Sequence, residues 1–155
     1  TRAVVETFAP RFLANPAVVW ISESRRKVVQ QDDALLRLLG IAIAPETLLP
    51  DVILADTADP LRFVFVEVVA TDGPIHAERR ARLVALVTGA GFAADQAVFV
   101  TAFESRARPA FRRAVHSLAW GSFAWFMSEP DHIMALDGPL PGAAPALRHF
   151  HMRPA

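Results

Sequence analysis

The sequence predicts an α/β domain of the α+β kind, a mixed central β-sheet flanked by helices. Three observations point there. Short apolar runs rich in Val, Ile and Phe, such as residues 51–56 and 96–103, are bounded by turn residues and read as buried strands. Stretches of helical periodicity, the strongest over residues 75–88, lie between them. No internal repeat divides the 155 residues, and a chain of this size, 53% hydrophobic, buries roughly two thirds of its unfolded surface around one core.

The elements follow in order. Residues 2–14 are expected to form a short helix with Val5, Phe8, Phe12 and Leu13 on one side, interrupted or kinked at Pro10 and closed by Asn15-Pro16. Residues 17–24 (AVVWISES) and the KVVQ run after Arg25-Arg26 predict a β-hairpin. Asp32 or Asp33 caps a helix through Leu39, ended by Gly40. Strands follow at 51–56 and 61–71, separated by the TADP turn. Thr71 or Asp72 is the expected N-cap of the next helix, with Pro74 in its first turn and Gly89 and Gly91 at its end. A strand at 96–103 and a helix over 108–120, with Phe111, Val115 and Leu118 on one face, lead to strands at 122–128 and 132–136. Residues 1–137 are therefore expected to be one domain, and the Pro/Gly-rich residues 138–155 a tail or arm.

Composition narrows the function. Formal net charge is zero, so this is not a strongly basic domain of the kind that binds nucleic acid by charge alone. Cysteine is absent, which leaves no disulfide framework and no thiolate zinc site and fits a reducing cytoplasm. No apolar run approaches the length that crosses a bilayer, and no signal-peptide layout is visible, so a soluble chain without a membrane partner is expected. Lys27 is the only lysine. Arginines gather at Arg79, Arg80 and Arg82 and again at Arg106, Arg108, Arg112 and Arg113, as solvated helix faces or as phosphate contacts.

One residue breaks the pattern. In FVFVEVVATDGP, residues 63–74, strand alternation puts Phe63, Phe65, Glu67 and Val69 on one face and Val64, Val66 and Val68 on the other. Both faces look buried, and burying an unpaired carboxylate costs several kcal/mol. If residues 51–56 pair with this run as a hairpin, Asp51 comes to the same end as Glu67. Two carboxylates there suit Mg2+, which could hold a scissile phosphate and activate a water for phosphodiester cleavage. A salt bridge from Glu67 to a nearby arginine, or an edge strand with Glu67 in water, explains the residue equally simply.

NPAVVWISES with Lys27, LLPDVILAD, FVEVVATDGPI, FVTAF and LAWGSFAWFMSEPDHI, in that order over residues 15–136, resemble the C-terminal catalytic domain of the BsuBI/PstI restriction endonucleases. The resemblance implies a PD-(D/E)XK restriction-endonuclease-like fold and a Mg2+-dependent type II enzyme cutting double-stranded DNA at a CTGCAG-like palindrome. It also implies a homodimer and a further N-terminal domain. Pro50-Asp51 fits the first half of the PD-(D/E)XK motif and Glu67 the acidic position of the second. Val69 stands where the motif has lysine, so Lys27 is the candidate replacement, and Glu23 a further metal carboxylate or an orienting group for Lys27. Arg79, Arg80, Arg82, Arg106 and Arg108 are candidate DNA contacts, for phosphate or for guanine. His76, His116 and His132 read as surface residues, and His149 and His151 as part of a mobile tail. Val69 and the zero net charge also suit an inactive nuclease-fold DNA-binding or assembly domain, and a purely structural module is the third reading.

Overall fold

The computed structural model describes residues 1–23, 26–38, 40, 49–69 and 73–137, with the side chains of 23, 26–30 and 38 outside that description. Residues 138–155, where a tail with His149 and His151 is expected, lie outside it too. Seven strands form one sheet: β1 (Pro16–Glu23), β2 (Arg26–Gln31), β3 (Val52–Asp56), β4 (Arg62–Val68), β5 (Ala97–Phe103), β6 (Ser122–Phe126) and β7 (Ile133–Leu136). Their order is β2-β1-β3-β4-β5-β6-β7. Neighbours from β2 to β4 are antiparallel, β4-β5 and β5-β6 are parallel, and β7 turns back antiparallel on β6. The sheet is mixed, as expected.

Two parallel steps demand two crossovers. They are α3 (Ala77–Gly89), between β4 and β5, and α4 (Pro109–Ala114), between β5 and β6. Phe63, Phe65, Ile53 and Phe99 face α3, packing on Leu83 and Val87, with Leu36 of α2 (Asp33–Leu38) alongside. Val52, Leu54, Val64, Val66 and Trp125 face the other way, beneath Val4 and Phe8 of the N-terminal helical segment. Helices thus cover β4 on both sides, which is why its sequence is nearly continuous in apolar residues. α4 closes the far part of the α3 face through Ala114 against Phe103, Ala124 and Phe126.

Local signals explain the element ends. Asp32 Oδ1 accepts from the Leu35 N–H at 2.8 Å and caps α2, and Gly40 follows with φ +65°. The N-terminal segment is a π-helical turn, Val4–Phe8, that passes into α1, Ala9–Phe12. The helical run continues through Pro10 from Arg2 to Phe12, and it changes from π to α one residue before the proline.

Two helix ends differ from expectation. α3 starts at Ala77, not near Ile75, and its N-cap is His76, whose Nδ1 accepts from the Arg79 N–H at 3.4 Å. Ile75 is held outside the helix: its N–H donates to Thr101 Oγ1 at 3.2 Å, and its carbonyl accepts from Ala119 N at 2.9 Å. The expected caps Thr71 and Asp72 lie outside the described residues. α4 is shorter than 108–120, passing at Val115–Ser117 into a 3-10 turn. The chain leaves the helix there to bury Leu118 and Ala119, so Val115 is exposed instead of facing the core.

Candidate active site

The β3–β4 register sets Val52 opposite Val66 and Ile53 opposite Phe65. One further step places Asp51 opposite Glu67. The side chain bears this out: Asp51 Oδ2 accepts from the Val68 N–H at 2.8 Å, so the Asp51 carboxylate lies across the end of β4, beside the peptide that follows Glu67. On its other side, the Asp51 carbonyl accepts from Ser22 N of β1 at 2.8 Å. Pro50-Asp51 is thus pinned between two strands. These contacts lie at the carboxyl ends of the parallel strands β4 and β5, where open α/β sheets place ligands.

Glu67 is 6% exposed and points to the α3 face. Its cation is there. Arg79, in the first turn of α3, donates Nη2 to Glu67 Oε2 at 2.9 Å and to the Leu49 carbonyl at 3.1 Å. The salt bridge is partly buried, with Arg79 22% exposed. An arginine partner for Glu67, one of the two simple explanations open in the sequence, is therefore present. Glu67 also pairs in register with Thr101 of β5, a fully buried hydroxyl. Thr101 was missed in the sequence although it carries the same signal as Glu67, a polar residue inside an apolar strand.

Glu23 ends β1 and Lys27 lies near the start of β2, paired around Glu23↔Arg26 and Ser22↔Val28. Because Ser22 bonds Asp51, their backbones reach the same sheet end as the two carboxylates. β2 is two strand spacings from β3, about 10 Å. Val69, at the motif position usually held by lysine, is 8% exposed and packs with Phe103, Ala114 and Leu118. Its role in this chain is apolar packing under α4.

The arginines separate into two groups. Arg79 is committed to Glu67, and Arg80 lies over the Phe99 ring at 5.0 Å, its buried Nε without a hydrogen-bond partner among the described residues. Arg82, Arg106 and Arg108 are exposed and paired with Glu78, Glu129 and Glu104. The Arg106 pair is two-pronged, 2.9 and 2.6 Å, and this hydrogen bonding holds the Glu129 carboxyl below its ordinary range and raises Arg106. A cleft of about 590 Å³ opens beside Val68 and Val69, with Phe103 in its wall and Glu104, Arg108 and Arg113 among its polar groups. His116 and His132 are exposed, as expected.

Among the described residues, no three or more His, Asp or Glu side chains gather around one point. Among the described side chains, this end offers two hard carboxylates, Asp51 and Glu67. That donor set fits Mg2+, which keeps several waters and binds through one or two carboxylates. Among the described residues, no helix is long and apolar enough to cross a membrane.

The family described as the BsuBI/PstI restriction endonuclease domain matches residues 1–139. The chain is 29% identical over 139 residues to the type II restriction enzyme BsuBI of Bacillus subtilis, across 88% of this chain and 42% of that protein. Among solved structures it is similar to the SdaI restriction endonuclease, with a TM-score of 0.76 and 31% identity, across 88% of this chain and 41% of that one. The chain spans about two fifths of the length of both relatives.

Proposed function

Since the chain belongs to the BsuBI/PstI restriction endonuclease domain family and shares its fold with SdaI, we propose that it is the catalytic part of a type II restriction endonuclease. Its substrate in this reading is double-stranded DNA, at a CTGCAG-like palindrome. The observation that carries the reading is the convergence of Asp51 and Glu67 at one strand end, through the β3–β4 register and the Asp51–Val68 hydrogen bond.

Asp51 and Glu67 hold Mg2+, with Glu23 as a further carboxylate at the same sheet end. When bound, the ion supplies Lewis-acid chemistry, offsetting charge that develops on the phosphate and lowering the pKa of a water. Asp51, fixed by the Val68 N–H, holds its carboxylate at the strand end without needing to reorganise. In the reaction, water adds to phosphorus, one P–O ester bond breaks, and the departing sugar oxygen takes up a proton. Lys27 is the group assigned to orient the attacking water or to stabilise the developing anion, in place of the lysine that Val69 displaces. Arg82, Arg106 and Arg108 exchange their carboxylate partners for DNA phosphates. Two copies of the chain, related by two-fold symmetry, cut the two strands of a palindrome.

Incubation of CTGCAG-containing duplex with the chain, with Mg2+ or with chelator, tests this. Cutting that requires Mg2+ and disappears in Asp51→Ala and Glu67→Ala is the expected result. Unchanged cutting by either variant removes that residue from the site. Arg79 on Glu67 and the buried Val69 favour a second reading, a nuclease-fold module that binds DNA without cutting it. Binding that survives Asp51→Ala, with no product under any divalent ion, selects that second reading.

A further inference from the structure

Arg79 is the side chain at this end whose contacts the hydrolytic reading leaves unused. A single nitrogen, Nη2, bridges Glu67 Oε2 at 2.9 Å and the Leu49 carbonyl at 3.1 Å. The two acceptors belong to the two halves of the carboxylate pair: Glu67 itself, and the residue two positions before Asp51. The Nε of the same guanidinium is buried with no hydrogen-bond partner among the described residues. The bridge ties the Glu67 carboxylate to the backbone of the segment that leads into Asp51.

We propose that Arg79 is a positioning residue for the divalent-ion site, fixing the Glu67 carboxylate and tying the segment that leads into Asp51 to it. The inference rests on the Mg2+ reading above. Glutamate has three side-chain torsions to immobilise, and Asp51 is already held by Val68 N and through its own carbonyl. Glu67 gains the same kind of hold from Arg79. Hydrogen-bonding partners of metal ligands typically account for about 10- to 100-fold in metal affinity. Repulsion between the guanidinium and an incoming dication acts in the opposite direction, so the sign of the affinity change distinguishes a positioning residue from a competing cation.

The test is a Mn2+ titration, followed by the electron paramagnetic resonance of free ion and by calorimetry, on the full chain well below each variant's thermal midpoint. Wild type is compared with Asp51→Asn, Arg79→Gln, Arg79→Met and Arg79→Lys. Asp51→Asn weakens Mn2+ binding if the metal reading holds. Mn2+ binding absent from wild type, or unchanged in Asp51→Asn, overturns that reading and this inference with it. With the Asp51 effect present, Arg79→Gln and Arg79→Met are expected to weaken Mn2+ binding about tenfold or more. Arg79→Lys, which keeps the charge and the donors on a shorter stem, recovers part of the loss. Binding as tight as wild type, or tighter, in Arg79→Gln or Arg79→Met overturns the positioning role and leaves the metal site standing. Should one of those two fail to fold, the other decides.

Discussion

The β3–β4 hairpin carries a buried carboxylate at each end, and the chain secures the two by different means. At the turn end, Asp56 accepts from three backbone N–H groups, those of Ala14 at 3.1 Å, Asn15 at 2.8 Å and Ala58 at 3.4 Å. Burial opposes its charge, but these donors and the nearby Arg62 outweigh it and hold its carboxyl below the ordinary aspartate range. At the open end, Glu67 meets a guanidinium from a separate helix, and Asp51 accepts a single strand-end N–H. Backbone donors cannot leave Asp56 unless the loops around it unfold. A side-chain partner instead orients the Glu67 carboxylate from one helix. Near-equal burial, 7% for Asp56 and 6% for Glu67, therefore hides a carboxylate held by backbone donors at one end and one held by a side chain at the other.

The largest expected effect separates these ends by chemistry. Asp51→Asn and Glu67→Gln should each lower DNA cutting by on the order of 10²–10³-fold, whereas Asp56→Asn should cut like wild type per folded molecule, as read by product formation on a gel. Next comes Val69→Lys, which restores the motif's lysine in sequence but puts an ammonium among Phe103, Ala114 and Leu118. Urea unfolding should show a loss of about 3 kcal/mol, with no gain in cutting. Higher activity in that variant would erase the distinction between position 69 as packing and the neighbouring carboxylates as site.

How far this contrast was legible in the sequence depends on which physical signal each residue leaves. The strands, the sheet class and the meeting of Asp51 with Glu67 were readable because period-two alternation and a short hairpin fix faces and register. Glu67 stood out as a charge in an apolar run, but two cations could answer it, and spacing does not say which. Arg79 sits twelve residues later on a helix whose start depends on Ile75 being held by Thr101 and Ala119, long-range bonds with no local signature. The same bonds moved the N-cap to His76. Asp56 gave no signal at all, since its partners are backbone amides that any sequence supplies. Arg80 looked like its cluster neighbours, yet its helix position turns it onto Phe99.

Two smaller effects sharpen the turn end. Asp56→Ala leaves buried N–H groups unpaired and should cost about 2 kcal/mol in urea unfolding, with the cutting rate per folded molecule retained. Because the folded carboxyl of Asp56 is depressed, its contribution to stability is complete above the unfolded value of about 3.9 and is lost as pH falls through the lower folded value. Below about pH 4, wild-type urea midpoints should therefore drop more steeply than those of Asp56→Asn. Parallel curves would show that the backbone cage does not favour the charged form.

A crystal structure of the chain soaked with Mn2+, located by its anomalous signal, bears most directly on the open end. One ion with oxygens of both Asp51 and Glu67 at about 2.1 Å is the predicted result. An ion bound elsewhere, or no ion at saturating Mn2+, contradicts it.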